Sequence, residues 1–393
     1  MIRRWVALLA AILTITGPAT ALADEVTLAF TGDVLVHTPV TASAARHGAA
    51  SGARHDFRVM LSEVAPVIGA ADLALCHLET VIGVPGIEAS PYPRIAAPAA
   101  VADGLAGAGF DGCSTASNHS LDFGPDGIVS TREAMEAAGL GATGTARTLD
   151  EAGPAMYRVG DAVLAHLSYS YGFNGFRVPA ERSWLANAID PDRIEAEAAA
   201  ARRAGADLVV VSLHWGAEYR TMPTSSQLDL AERLRSSDDI DLVVGHHAHV
   251  VQPVAPDDGR APLAFGLGNF LSNQTPGCCT VPSGDGVLLL VRAERSADSW
   301  HVTELAAVPT WVDRRAGHLI RPALAVDRPE APGSADRTRT ALTALGTEVP
   351  LFDVQEAVRW LSRHRMARVL ERLCGGGPWP CGPAVSSTEI LAW

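Results

Sequence analysis

Cysteine is scarce, aromatic residues make up only 6% of the chain, and cationic side chains are outnumbered, 31 Lys and Arg against 44 Asp and Glu. The six cysteines, Cys76, Cys113, Cys278, Cys279, Cys374 and Cys381, show no CxxC spacing, which excludes a cysteine zinc site. They permit disulfides without fixing connectivity. The easiest pair to close is Cys374 with Cys381 across GGGPWP, whereas the adjacent Cys278 and Cys279 would need separate partners. The shortage of positive charge, a formal −13, argues against nucleic acid as a partner. A polyanion would be held only in a locally cationic or metal-loaded cleft. Arg94, Arg177 and Arg220 are candidates for such local charge. No GxSxG motif is present, so a serine nucleophile elbow is excluded. Internal repeats and low-complexity tracts are also missing.

The remaining composition, 48% hydrophobic and 19% charged over 393 residues, provides for one large α/β domain and a smaller appendage. The start is different in kind. Arg3 and Arg4 precede an apolar stretch from Trp5 to Ile15, a Gly17-Pro18 break and Ala21-Leu22-Ala23, the pattern of a cleavable secretory signal. The apolar core falls short of the ~20 residues that span a bilayer. Residues 1–23 are therefore read as a signal peptide cleaved near Ala23, and the mature chain as periplasmic or secreted, without a transmembrane segment. Its removal takes two arginines and no acids, leaving a charge of −15.

From residue 26 onward, short β-branched runs alternate with alanine-rich amphipathic stretches, the grammar of βαβ units. The spacing predicts a helix in FRVMLSEVAPVIGA, another from Asp190 to Ala204 with Asp190 as cap, and a third in SQLDLAERLRSS. DLVVVSL lacks polar alternation, as a strand buried on both faces would. After Asn273, GVLLLVRAE and HVTELAAVPTWVD read as antiparallel strands, and Asp353 to Cys374 as an amphipathic helix, with Pro322 to Arg337 as linker. The division follows: a domain over 24–275, strands over 276–321 completing the sandwich or a small separate unit, and a helical extension over 322–393.

Chemistry is concentrated at strand ends. GDVLVH, CHLET, SNHSLDFG, HWGAEY, GHHAH and GLGNF each close an apolar run on acid/base or ligand-type side chains. In open α/β sheets the loops leaving the carboxyl ends of strands converge on one edge. In GHHAH, an extended backbone would put His247 and His249 on one face and turn His246 away. Imidazoles ligate zinc, manganese and iron. His214 stands at the exit of its strand with Glu218 four residues on, and Trp215 and Tyr219 read as packing. Asn118 offers a carbonyl oxygen, and His119 a general acid or oxyanion stabiliser. Asp122 either orients His119 or serves the turn before Gly124. Asp33 and Glu79 supply the carboxylates that two divalent ions would require. His37, His246, Glu218 and Asn269 are placed around the site as binding or supporting residues. His166 reads as a core or sheet-face histidine, and His364 as a helix-surface one.

In this order across about residues 26 to 273, those motifs together with GHHAHVVQP resemble the bacterial capsule synthesis CapA family, associated with poly-γ-glutamate production, which is similar to the calcineurin-like metallophosphoesterases. The resemblance implies an α/β fold, a four-layer αββα sandwich with a C-terminal β/α extension. It implies metal ligation by Asp33, Glu79, Asn118, His214, His247 and His249, with two divalent ions drawn from manganese, iron, zinc or magnesium, and His119 as the acid beside a scissile phosphate. It departs from the superfamily pattern at Leu35, where a histidine is usual, and at His77 and Ser117, where the family usually has asparagine. Three functions are consistent with it. One is an exported metal-dependent phosphoesterase-like hydrolase of envelope polymer biogenesis, acting on a phosphorylated substrate. Another is a non-catalytic subunit binding an anionic cell-envelope polymer within a membrane synthesis complex. The third is an amidase or peptidase using the same ions.

Overall fold

The computed structural model describes residues 25–297, 299–324 and 331–363. The signal read at 1–23, His364 and the Cys374/Cys381 pair lie outside the described residues. Two sheets face each other. The larger has the order β15 (Leu319–Pro322), β14 (Ser299–Asp313), β13 (Asp285–Ser296), β1 (Glu25–Val34), β2 (Leu73–Leu78), β5 (Gly112–Ser114), β6 (Gly141–Thr143), with β12 (Asn269–Leu271) pairing the end of β1. The smaller runs β11 (Leu263–Ala264), β10 (Leu242–His246), β9 (Leu208–His214), β8 (Ala162–Ser170), β7 (Ala155–Val159). A short pair, β3 (Val81–Ile82) and β4 (Ala96–Ala97), lies apart from both.

Period-two alternation assigns each strand's side chains to a layer. Val26, Leu28 and Phe30 of β1 and Leu73 and Leu75 of β2 meet Leu164, Leu208, Val210, Leu242 and Val244 of the smaller sheet in one core. The opposite face of the large sheet, with Ala29, Ala74 and Cys76, packs on α1 (Thr38–Ser51), α2 (Arg58–Leu61), α3 (Ala65–Ile68), α4 (Ala100–Ala108) and α5 (Gly124–Ala137). The opposite face of the small sheet, with Val209, Val211 and Val243, packs on α6 (Pro191–Arg203) and α7 (Ser225–Arg235). The result is the αββα layering the resemblance implies. β9 is buried along its whole length, in keeping with its lack of polar alternation.

Local signals set several boundaries. Asp190 caps α6 by accepting from the Asp192 and Arg193 amides, and Thr224 with Gln227 forms a capping box on α7. FRVMLSEVAPVIGA is two short helices rather than one. Pro66 lacks an N–H and so suits the first turn of α3, where it would interrupt a continuous helix. The cysteines also depart from expectation. Cys76 pairs with Cys113, because β2 and β5 are neighbours and hold their Cα atoms 4.3 Å apart, and Cys278 pairs with its own neighbour Cys279.

The chain beyond 275 joins the main body. β13 lies antiparallel to β1 over Glu25 to Thr31, and β14 to β13 in turn. The end of the expected linker, from Ser334, is instead the first turn of α8 (Ser334–Leu342), and this helix is tied to the sheet: buried Asp285 accepts from Ser334 Oγ at 2.7 Å and from Arg337 Nε at 2.7 Å. Residues 354–363 are helical again. Among the described residues no helix is long and apolar enough to cross a membrane. Removing the guanidinium leaves a buried carboxylate short of its counter-charge. Arg337→Ala is therefore expected to destabilise the fold by about 3 kcal/mol, seen as a lowered urea midpoint with Arg337→Lys falling between it and wild type.

Candidate metal centre

Towards the carboxyl ends of the strands the inner face changes character. Continuing the alternation of Leu73 and Leu75 gives His77, that of Leu208 and Val210 gives Ser212 and His214, and that of Leu242 and Val244 gives His246. His166 lies on the same inner face of β8, fully buried, with Nε2 2.8 Å from Ser212 Oγ. An apolar seam thus becomes an imidazole seam at one end of the sandwich.

Asp33 enters it through a register shift. Between Phe30 and Asp33 the β1–β2 pairing slips, so that Asp33 aligns with His77. Gly32 makes this possible, since a Cβ there would lie 2.1 Å from the Gly268 carbonyl oxygen. The Asp33 amide donates to that same oxygen at 2.9 Å. Its carboxylate then stands 3.0 Å from His249 Nδ1 and 3.6 Å from His246 Nδ1, and accepts from the His247 amide at 3.2 Å.

Four overlapping groups of buried or rim side chains have ligand atoms within 4.8 Å of one another: Asp33, His77 and His214; Glu79, His214 and His247; Asp33, Glu79 and His249; and Glu218, His247 and His249. Glu79 lies at their centre, 3.9 Å from His214 Nε2 and 3.8 Å from His249 Nε2. Both of its carboxylate oxygens are buried without a hydrogen-bond partner, as are Nδ1 of His247 and both ring nitrogens of His246. Buried polar groups are almost always paired. A divalent cation is the partner this donor set fits, and its mixture of imidazole nitrogen, carboxylate and amide oxygen suits zinc, manganese or iron.

Asn118 Oδ1 lies 3.0 Å from His214 Nε2, and the amide is steadied by donating to Asn174 Oδ1 at 3.2 Å. His119 Nδ1 is 2.7 Å from Asp122 Oδ2, which also accepts from the Ile95 amide. Asp122 both orients the histidine and closes the turn, its own amide donating to the His119 carbonyl. Arg94 donates to the Asp122 carbonyl and lies over the Phe123 ring. Asn269 places its Oδ1 3.1 Å from His249 Nδ1 while donating to Gln274 and Ser283. Glu218 is exposed at the rim.

His37 stands apart. It precedes α1, receives the Asn273 amide on Nδ1 at 3.4 Å and belongs to none of the four groups. His246, also outside the four groups, nonetheless faces the cluster rather than pointing away, with Nδ1 3.6 Å from Asp33 and its ring stacked on His77. Its neighbours His247 and His249 have φ of 85° and 55°, so the backbone beyond β10 is not extended and two-residue alternation fails there. Position 35 is a buried leucine and offers no ligand. His77, outside the expected ligand set, stands two residues before Glu79 at the end of β2. It stacks on His246 with centroids 4.1 Å apart and bonds His214. Tyr171, stacked over His214 and tilted against His247, had no sequence signal of its own.

Burial dominates the electrostatics. It pushes the Glu79 carboxyl up to about 7 against the pull of His249. Burial alone would lower His249, but the Glu79 and Asp33 carboxylates outweigh it and hold it at about 9. The same contest raises His119, where burial is overcome by Asp122 and Glu79. For Asp33 burial is outweighed by the adjoining imidazoles of His246 and His249, which hold it well below the usual carboxylate range. Burial and neighbouring imidazoles lower His247 to about 3 and His37 to about 4.

A buried cluster of histidine and carboxylate ligands at one end of an αββα sandwich defines a protein of the metal-centre α/β class. The chain belongs to the family described as bacterial capsule synthesis protein PGA_cap, whose model matches residues 27–274. It is 30% identical over 172 residues to the capsule biosynthesis protein CapA of Bacillus anthracis, covering 42% of this chain and 41% of that one. With the PGA biosynthesis protein CapA of Bacillus subtilis it is 30% identical over 168 residues, covering 42% and 43%. The chain spans under half the length of these curated relatives. Among solved structures it is similar to the calcineurin-like phosphoesterase YfkN of Bacillus subtilis, at 11% identity and a TM-score of 0.44 over 90% of this chain and 99% of that one.

Two outcomes are expected. Gly32→Ala forces Asp33 away from its place and is expected to lose bound metal while the circular dichroism of the fold is largely kept. In metal-free protein, His249 contributes stability below its ordinary 6.5 that is lost as pH rises through about 9, and Glu79 acts in the same sense up to about 7. His247 and His37 are held neutral, so stability also falls as pH drops below 6.5. Thermal midpoints of the metal-free protein should therefore peak near pH 6.5 to 7, and added metal should flatten the alkaline limb.

Proposed function

We propose that this protein is an exported, metal-dependent hydrolase of capsule or poly-γ-glutamate biogenesis that cleaves a phosphoester or a chemically related bond. The observation that carries the reading is the buried Glu79 carboxylate with both oxygens unpartnered amid imidazoles and a second carboxylate. Asp33, Glu79, Asn118, His214, His247 and His249 would hold two divalent ions. When bound, such ions supply an activated water and offset the charge of a phosphoryl group.

The rest is done by side chains. His119, whose pKa is raised as Asp122 and Glu79 outweigh burial, is suited to deliver a proton to the leaving oxygen. Asn269 fixes the ring of His249, and Glu218 with Tyr171 borders the opening. Arg177 and Arg220, exposed and without an ion pair among the described residues, give local positive charge to a chain that is otherwise acidic. An anionic cell-envelope polymer or its phosphorylated precursor is the substrate class this favours, and a membrane synthesis complex the setting. The signal-like residues 1–23 support export to the periplasm or beyond.

The test is elemental analysis of protein purified without chelator, followed by turnover of p-nitrophenyl phosphate and bis(p-nitrophenyl) phosphate. About two ions per chain are expected, lost in the His247→Ala/His249→Ala variant. His119→Ala is expected to keep its metal and to lose about 10²- to 10⁴-fold in kcat. Polyglutamate binding that survives both variants, with no turnover by wild type, would instead support a polymer-binding assembly subunit.

A further inference from the structure

A row of fully buried polar groups runs into the cluster from beneath. Ser114 Oγ lies 2.8 Å from His77 Nδ1, His77 Nε2 lies 2.9 Å from His214 Nδ1, and His214 Nε2 lies 3.0 Å from Asn118 Oδ1. Neither imidazole meets water. A neutral imidazole carries one N–H and one bare nitrogen, so each link has one donor and one acceptor and the row can be ordered in two directions.

In the first ordering the Ser114 hydroxyl donates to His77 Nδ1, His77 Nε2–H donates to His214 Nδ1, and His214 Nε2–H donates to Asn118 Oδ1. Every group in the row is satisfied. In the second, His214 Nδ1–H donates to His77 Nε2 and His77 Nδ1–H donates to Ser114 Oγ. The serine hydroxyl then turns to the Cys76 carbonyl 3.4 Å away. This ordering leaves His214 Nε2 bare, facing Asn118 Oδ1 and, 3.9 Å off, the unpartnered Glu79 Oε1. Three acceptors so placed suit only a cation.

We propose that Ser114, His77 and His214 form a two-way tautomer relay, ordered towards Asn118 in the metal-free protein and towards Ser114 when a divalent ion is held at His214 Nε2. His77 is thus a positioning residue for the metal centre, and the inference rests on the metal-centre reading above. The proton count is unchanged: as the Ser114 hydrogen passes to His77 Nδ1 and the His77 Nε2 hydrogen to His214 Nδ1, the hydrogen on His214 Nε2 is released to solvent and one is returned to Ser114 Oγ from solvent during local opening. Buried ligands commonly owe their orientation to such partners, whose loss costs about 10- to 100-fold in metal affinity. His77 differs from a fixed carbonyl or carboxylate partner in satisfying His214 Nδ1 in both states.

Long-range 1H–15N spectra of histidine-labelled protein distinguish the two tautomers directly, and zinc is diamagnetic. Metal-free wild type should show His214 as the Nε2–H form, and zinc should convert it to the Nδ1–H form together with His77. His77→Phe should lower zinc affinity about 10- to 100-fold, and His77→Gln, which can still donate or accept, should recover much of it. Zinc bound with His214 still in the Nε2–H form, or bound equally tightly by His77→Phe, would overturn the relay and leave the metal centre standing. A wild type that takes up no zinc would overturn both. If His77→Phe does not fold, the wild-type tautomer shift alone decides.

Discussion

A carboxylate sealed between two sheets with neither oxygen hydrogen-bonded is the constraint on which the surrounding structure depends. Leaving such a charge unmatched in a low-dielectric interior is costly, and Glu79 answers by rising to about 7 while drawing His249 up to about 9. The imidazoles that line the seam are there because apolar alternation continues past the point where the core needs filling. His77 and His246 occupy the positions that leucine and valine occupy one pleat repeat earlier, and His214 follows Ser212 in the row begun by Leu208 and Val210.

The second requirement is that the backbones come close. Gly32 and Gly268 press main chain against main chain, so the end of β1 can be held by β12 while its bulge turns Asp33 into the seam. The unusual backbone of His247 and His249 does the equivalent on the other sheet, letting consecutive side chains reach one small volume. Strained positions of this sort tend to gather at functional sites, where the surrounding packing holds them in place.

Much of this was legible in the sequence. The βαβ alternation, the Asp190 cap, the helix in SQLDLAERLRSS and the buried β9 follow from local chemistry, and the structure has each of them. Strand-end motifs brought Asp33, Glu79, Asn118, His119, His214, His247 and His249 into one list, and these side chains do lie together. The failures share a cause. His246 was turned outward by assuming an extended backbone that ends at that residue, and His77 was read as a departure from a family pattern rather than by its place on a strand. Cys76 with Cys113, and the break at Pro66, depend on which strands become neighbours and on where a helix must restart. None of these is contained in spacing alone.

The antiparallel partner of β1 has a consequence for how the chain is divided. Similarity stops at residue 274, but β13, which begins at Asp285, covers β1 along seven paired residues, and β14 and α8 cover β13 in turn. A protein ending where the family resemblance ends would expose the flank of its central strand, the one that carries Asp33, as an open sheet edge. The inherited signature and the cooperative unit are therefore different objects. The ligands are supplied by the matched region, and the strand that carries Asp33 is flanked by the part of the chain beyond it.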